Sequence, residues 1–209
     1  VSRIFGELIT LIEPSKRAGE VEALEVTLPY SKNPFSVPPN VYLIGTMNTA
    51  DRSLAAIDIA LRRRFQFIPM LPDVGVLRGL SVEGVQIDAM LQGINDRIEC
   101  LHGRDFQIGH AYFLDLKASP TIAMLSSIFR QQVLPLLQEY FFEDWQKIAW
   151  VLSDELKSPE DRFLTRRTAA MTGLEGQDNM PEKILWSINT QAFDRPGAYR
   201  GIKPGAIPA

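Results

Sequence analysis

Asn48, Thr49, Asp51, Arg52 and Ser53 collect within six positions directly after the apolar run Val41-Tyr42-Leu43-Ile44 and the pair Gly45-Thr46. A neutral amide at the end of a sheet strand can donate to a γ-phosphate oxygen and accept from an attacking water. It does so without adding negative charge beside the phosphates. A turn or capping asparagine is the plainer reading of Asn48 taken alone. A little further on stand Arg62, Arg63 and Arg64. Guanidinium groups neutralise charge that develops on a transferred phosphoryl group. Basic residues at a helix end also complement the helix dipole, which is the bland account of the same triplet.

The elements that must position these groups follow from pattern. Val41 to Ile44 is short and rich in β-formers, which predicts a central strand. In open α/β sheets, ligands sit at the carboxyl ends of strands, so the turn after Ile44 is where chemistry is expected. Ser53 to Arg62 carries Leu54, Ile57 and Leu61 at helical spacing, with Asp51 or Ser53 as the N-cap candidate. Phe65-Gln66-Phe67-Ile68 alternates and predicts the last strand of the sheet, which limits where the three arginines can point. Arg52 and Asp58 lie too far apart for a standard (i, i+4) pair.

Upstream, Val1 to Glu13 places Ile4, Phe5, Leu8, Leu11 and Ile12 on one face of an amphipathic helix stopped by Pro14. Leu24-Val26-Leu28 and Phe35-Val37 alternate around Ser31-Lys32-Asn33-Pro34, which predicts a β-hairpin confined by its prolines to an edge or a protrusion. Pro69 and Pro72 mark a domain boundary, and 71–81 reads as a linker. From Val82 the texture is helical. Ile87, Met90, Leu91, Ile94 and Ile98 form one stripe ended by Gly103; a loop surrounds Gly109-His110; a helix starts at Ser119-Pro120 and is kinked or divided at Pro135; Glu143 to Leu156 gives a last helix. Tyr140, Phe141, Phe142, Trp145, Trp150 and Phe129 are expected in its core. After Ser158 the signal weakens. Lys183 to Asn189 alternates like a short strand, and the Gly/Pro-rich end reads as irregular. The organisation is therefore 1–72 (part of an α/β core), 73–157 (a bundle of three or four helices) and 158–209 (an extension, partly irregular).

The stretch GTMNTADRS followed by ALRRRF resembles the sensor-1 and arginine-finger region of AAA+ motors, and within them the McrB family, the GTP-driven subunits of modified-cytosine restriction systems. The resemblance implies the C-terminal half of a P-loop-type AAA+ α/β core, with a β-hairpin, followed by an all-α helical lid. It makes Asn48 the sensor-1 residue, with Thr49 and Asp51 in the same signature. Arg63 becomes the finger acting in trans, and Arg64 a second phosphate-side or structural arginine. Arg52 and Asp58 would support the site across the subunit boundary, and Glu7 would face a neighbouring subunit or the pore. His110, in IGHAYF, resembles a lid motif that places the lid near the nucleotide; a loop histidine bonded to backbone is the competing account. Implied partners are a homo-oligomeric ring (a hexamer), an McrC-like nuclease subunit and DNA. The implied cofactor is GTP or ATP with Mg2+ in the full-length assembly, with none held tightly by this chain alone.

The sequence departs from that family in one respect. Nothing fits GxxxxGK[ST], and no apolar strand ends in the Asp-Glu pair that would hold Mg2+. The chain opens on Val1, inside a helical pattern, so the expectation is a fragment or part of a longer chain that does not hydrolyse nucleotide alone. Composition sets further bounds. A net charge of −3 over 209 residues argues against coating nucleic acid through bulk charge, while leaving room for a local basic patch. Cys100 is the only cysteine, and His102 and His110 lack metal-ligand spacing, so no metal site is expected. No apolar run reaches bilayer length, which predicts a cytoplasmic protein. Two rivals stand beside the McrB-like reading: a MoxR-like ATP-dependent protein-remodelling AAA+ ATPase, and a catalytically inactive interaction module.

Overall fold

Short apolar repeats need partners before they become strands, and this decides much of the N-terminal unit. The structure, a computed structural model, describes residues 8–47, 64–169 and 183–205. The chain divides into two compact units, Val1–Met70 and Leu71–Ala209. In the first, α1 (Leu8–Leu11) buries Ile9 and Leu11, and Pro14 opens a 3-10 turn, Pro14–Lys16. The expected hairpin is present but brief. β1 (Val26–Thr27) pairs antiparallel with β2 (Pro34–Phe35), Val26 opposite Phe35 and Thr27 opposite Pro34. Pro34 therefore lies in the strand rather than the turn, as an exposed edge position permits.

Two expected strands do not form. Val41 to Met47 has no ladder, and Tyr42 and Ile44 are 86% and 94% exposed. Phe65 to Met70 likewise joins no ladder, with Phe67 and Ile68 exposed. A central strand requires hydrogen-bonded neighbours and covered faces. Among the described residues of this unit, only β1 and β2 pair. The candidate helix Ser53 to Arg62 and the first turns of the opening helix lie outside the described residues.

The second unit is better built. Its first ten residues are not a slack linker: Asp73 caps a 3-10 turn (Val74–Leu77) by accepting from the Gly75 N–H at 2.9 Å, and Leu77 is fully buried. β3 (Ser81–Val82) and β4 (Val85–Gln86) form a two-residue hairpin. Glu83 and Gly84 adopt φ of 47° and 80° there, the left-handed pair such a turn demands. The helical texture thus starts after this hairpin. α2 (Ile87–Leu101) buries the whole predicted stripe, Ile87, Met90, Leu91, Ile94 and Ile98, and ends at Gly103, whose N–H returns to the Ile98 and Glu99 carbonyls.

The expected loop at 104–116 is instead two 3-10 segments, Arg104–Phe106 and His110–Lys117, the second burying Phe113 and Leu116. Thr121, not Ser119, caps the next helix: its hydroxyl accepts from the Met124 N–H at 3.2 Å. α3 (Ile122–Ile128) runs into a π-helical turn, Phe129–Val133, and on into α4 (Leu134–Tyr140). The wide turn stands just before Pro135, so the helix accommodates the missing N–H by a register change instead of a break. α5 (Trp145–Val151) is capped by Asp144 and stops early, because Ser153 takes a left-handed φ of 60°. Of the expected aromatic core, Phe129 and Phe141 are buried while Phe142 is exposed.

Residues past Ser158 are integral to this unit. β5 (Leu164–Ala169) pairs with β6 (Lys183–Ile188) through six residues, from Leu164 opposite Ile188 to Ala169 opposite Lys183. α6 (Pro196–Arg200) follows. Phe129 from the π turn meets Phe163 (5.6 Å between centroids) and Tyr199 (4.9 Å), and Phe163 meets Phe193 at 5.0 Å. The Gly/Pro-rich end that reads as irregular therefore contributes Ala198, Tyr199 and Ile202 to the core, next to Phe193. The second unit thus combines its helices with two small hairpins, β3–β4 and β5–β6.

Candidate functional site

Of the sequence-predicted site residues, Asn48, Thr49, Asp51, Arg52, Asp58 and Arg63 lie outside the described residues. Arg64 and His110 are described, in different units. The Arg64 guanidinium sits 2.5 Å from the Glu13 carboxylate, with both side chains mostly covered. Glu13 follows α1 and precedes Pro14, so the pair ties the segment after the predicted arginine helix to the end of α1.

His110 is fixed by backbone. Its Nδ1 accepts the Asp73 N–H at 3.0 Å, so Nδ1 carries the lone pair and the neutral ring's proton resides on Nε2. The Asp73 carboxylate in turn holds Gly75. Phe113 and Leu116, fully buried, anchor the 3-10 segment that His110 begins. The imidazole is thereby tied to the third residue of the second unit, where the chain enters it, and presents one N–H donor at Nε2. Sequence reasoning missed Asp73 as its partner; the Asp-Val-Gly cap signal was the available hint.

A second polar centre was also missed. Asp154, 2% exposed, accepts from Lys157 Nζ at 2.9 Å, the Phe163 N–H at 3.1 Å and the Leu164 N–H at 2.8 Å. The ammonium lies 4.2 Å from the Phe163 ring centroid. Burial raises the Asp154 carboxyl against the pull of Lys157 and the two backbone donors. Burial likewise pushes the Lys157 ammonium down to about 8, with Asp154 opposing. All of the carboxylate's contacts lead inward to the end of α5 and the start of β5. This is a staple, not a reactive site.

Among the described residues, no three His, Cys, Asp or Glu converge as a ligand set. Nor, among the described residues, is any helix long and apolar enough to cross a membrane.

The helical arrangement of 86–149 defines the class. These residues match the family model of the McrB alpha-helical lid domain, and the chain is an McrB-like AAA+ portion containing that lid. A curated relative is the EcoKMcrB subunit of the type IV methyl-directed restriction enzyme of Escherichia coli (strain K12). It is 40% identical over 162 residues, covering 69% of this chain and 35% of that protein. The chain thus spans about a third of that relative's length. The lid match ends at Ala149, whereas the packed core runs on to Ile202.

Proposed function

We propose that this chain supplies sensor 1, the trans arginine finger and the lid to an McrB-like nucleoside triphosphatase ring. Asn48 would serve the nucleotide of its own subunit and Arg63 that of the neighbour, with Thr49, Asp51, Arg52 and Asp58 supporting the two sites. Arg64 has two roles open to it, and its pair with Glu13 supports the structural one. The observation that carries the reading is the match of 86–149 to the McrB lid. His110, whose Nδ1 accepts the Asp73 N–H, would couple lid position to a nucleotide through Nε2. The nucleotide is GTP by resemblance. Hydrolysis in a hexamer drives DNA translocation and activates an McrC-like nuclease in the cytoplasm. Without a phosphate loop and the Mg2+-binding acidic pair, this chain alone is inactive.

The test joins the missing upstream half, assembles the ring, and measures GTP and ATP turnover with Mg2+. Arg63→Ala is expected to lower turnover about 10³-fold or more, the scale of a trans arginine, and Asn48→Ala to lower it strongly as well. Near-wild-type rates for both variants would sink the assignment, and preference for ATP would favour the MoxR-like alternative.

A further inference from the structure

β5 and β6 are two six-residue strands that contain Arg166, Arg167 and Lys183 and no acidic residue, in a chain whose net charge is −3. Their pairing puts Arg166 opposite Trp186 and Arg167 opposite Leu185. The two arginines consequently occupy opposite faces of the ribbon. Only the base of this ribbon is buried, through Leu164; Thr165, Arg166, Arg167 and Thr168 are exposed. At that base is a cleft of about 420 Å³, lined by Arg162, Thr165, Arg166 and Trp186 together with the carboxyl-bearing Asp154 and Glu155.

The arginines are not consumed internally. Arg162 uses only Nε, donated to the Lys157 carbonyl at 3.2 Å. Arg166 has a long contact with Glu155, 3.8 Å, and a 3.3 Å bond to the Gln146 amide oxygen. Gln146 itself already holds Glu155 at 2.7 Å, so this carboxylate is shared. Arg167 makes no hydrogen bond or ion pair among the described residues. Adjacent cations on opposite faces, flanked by the hydroxyls of Thr165, Thr168 and Ser187, form a surface for a polyanion with charge on both sides of the ribbon. A duplex groove has that form, since its two walls are phosphate backbones and the major groove admits a two-stranded ribbon.

We propose that the β5–β6 ribbon is a sequence-independent contact for duplex DNA, in which Arg162, Arg166 and Arg167 bind backbone phosphates. This goes beyond the motor reading by assigning a DNA contact to the segment that follows the matched lid, and it requires no hydrolysis. The test is fluorescence anisotropy of the 209-residue chain with a labelled DNA duplex and no nucleotide, over a salt series. Three phosphate contacts give a slope of about −2.7 in log affinity against log salt, or about 40-fold weaker binding for a fourfold rise in salt. Arg167→Gln, at an exposed position without internal partners, should reduce that to about 12-fold, because one contact fewer removes about 0.9 from the slope. An unchanged slope in Arg167→Gln, absence of duplex binding, or equally tight binding of polyglutamate overturns the proposal. Since the assay contains no nucleotide, inactive Asn48 or Arg63 variants bear on the motor reading and leave this one untouched.

Discussion

Asp154→Ala tests whether the staple between α5 and β5 holds the second unit together. The substitution strands a buried ammonium and two buried backbone N–H groups that now share one carboxylate. Breaking a buried pair from one side costs about 3–5 kcal/mol. Lys157 can limit the loss by shedding its proton. From the ordinary lysine value of 10.5, doing so at neutral pH costs about 5 kcal/mol at 1.36 kcal/mol per unit. A net loss of about 4 kcal/mol is therefore expected, against total domain stabilities of about 5–15 kcal/mol. With a urea dependence of about 2 kcal/mol per molar, the midpoint falls by about 2 M. All three tryptophans, Trp145, Trp150 and Trp186, belong to the second unit, so tryptophan fluorescence during urea unfolding reports that unit selectively. Lys157→Met keeps an apolar stem over Phe163 and leaves Asp154 its two backbone donors, so it should cost far less. The double variant should be more stable than Asp154→Ala alone, because the stranded ammonium is gone. A loss below about 1 kcal/mol for Asp154→Ala, or equal losses for the two single variants, would refute this account.

Two further outcomes follow from the same unit. Lys157 is pushed down to about 8 in the folded chain, so the folded state binds fewer protons than the unfolded one between that value and 10.5. Its contribution to stability is complete above the unfolded value and is lost as pH falls through about 8; the difference in urea midpoint between wild type and Lys157→Met should rise across pH 8 to about 9.5, and a flat difference would contradict it. Gly93→Ala would place a Cβ 2.6 Å from the Lys203 carbonyl oxygen, where Arg97 also donates at 2.8 Å. Overpacking of this kind costs about 1–3 kcal/mol, and hydrogen exchange should show faster opening at Ile202 and Lys203; unchanged protection there would rule out the close approach.

How much of this was legible depended on whether a signal was local. The α2 stripe and its stop at Gly103 were readable because a 3.6-residue period and a left-handed glycine are decided within one helix. Pro135 announced a disturbance, but not that a π turn at Phe129–Val133 would absorb it, since that choice lets Phe129 reach Phe163 and Tyr199. The end of the chain misled because its glycines and prolines carry little periodicity. Gly93 admits it against α2, and Tyr199 donates its hydroxyl to the Phe193 carbonyl at 2.6 Å, contacts that no window of sequence contains. Val41 to Ile44 failed for the opposite reason: its composition suits a strand, but among the described residues nothing pairs with it. Of the candidate site, the types of Arg64 and His110 were readable and their partners, Glu13 and Asp73, were not.

The clasp between Arg97 and Lys203 joins residues 106 apart, and it has a consequence for synthesis. A ribosome will have completed α2, its stripe and the π turn long before Tyr199 and Ile202 exist. Until they emerge, Phe129 and Phe163 have no cover on that side, and the nascent lid exposes an aromatic face that the finished one conceals. Closure must wait until Tyr199 and Ile202 have been made, so the core of this unit is completed only after they emerge. Any stop codon placed shortly before Tyr199 would yield a chain with nearly all its helices and no finished core.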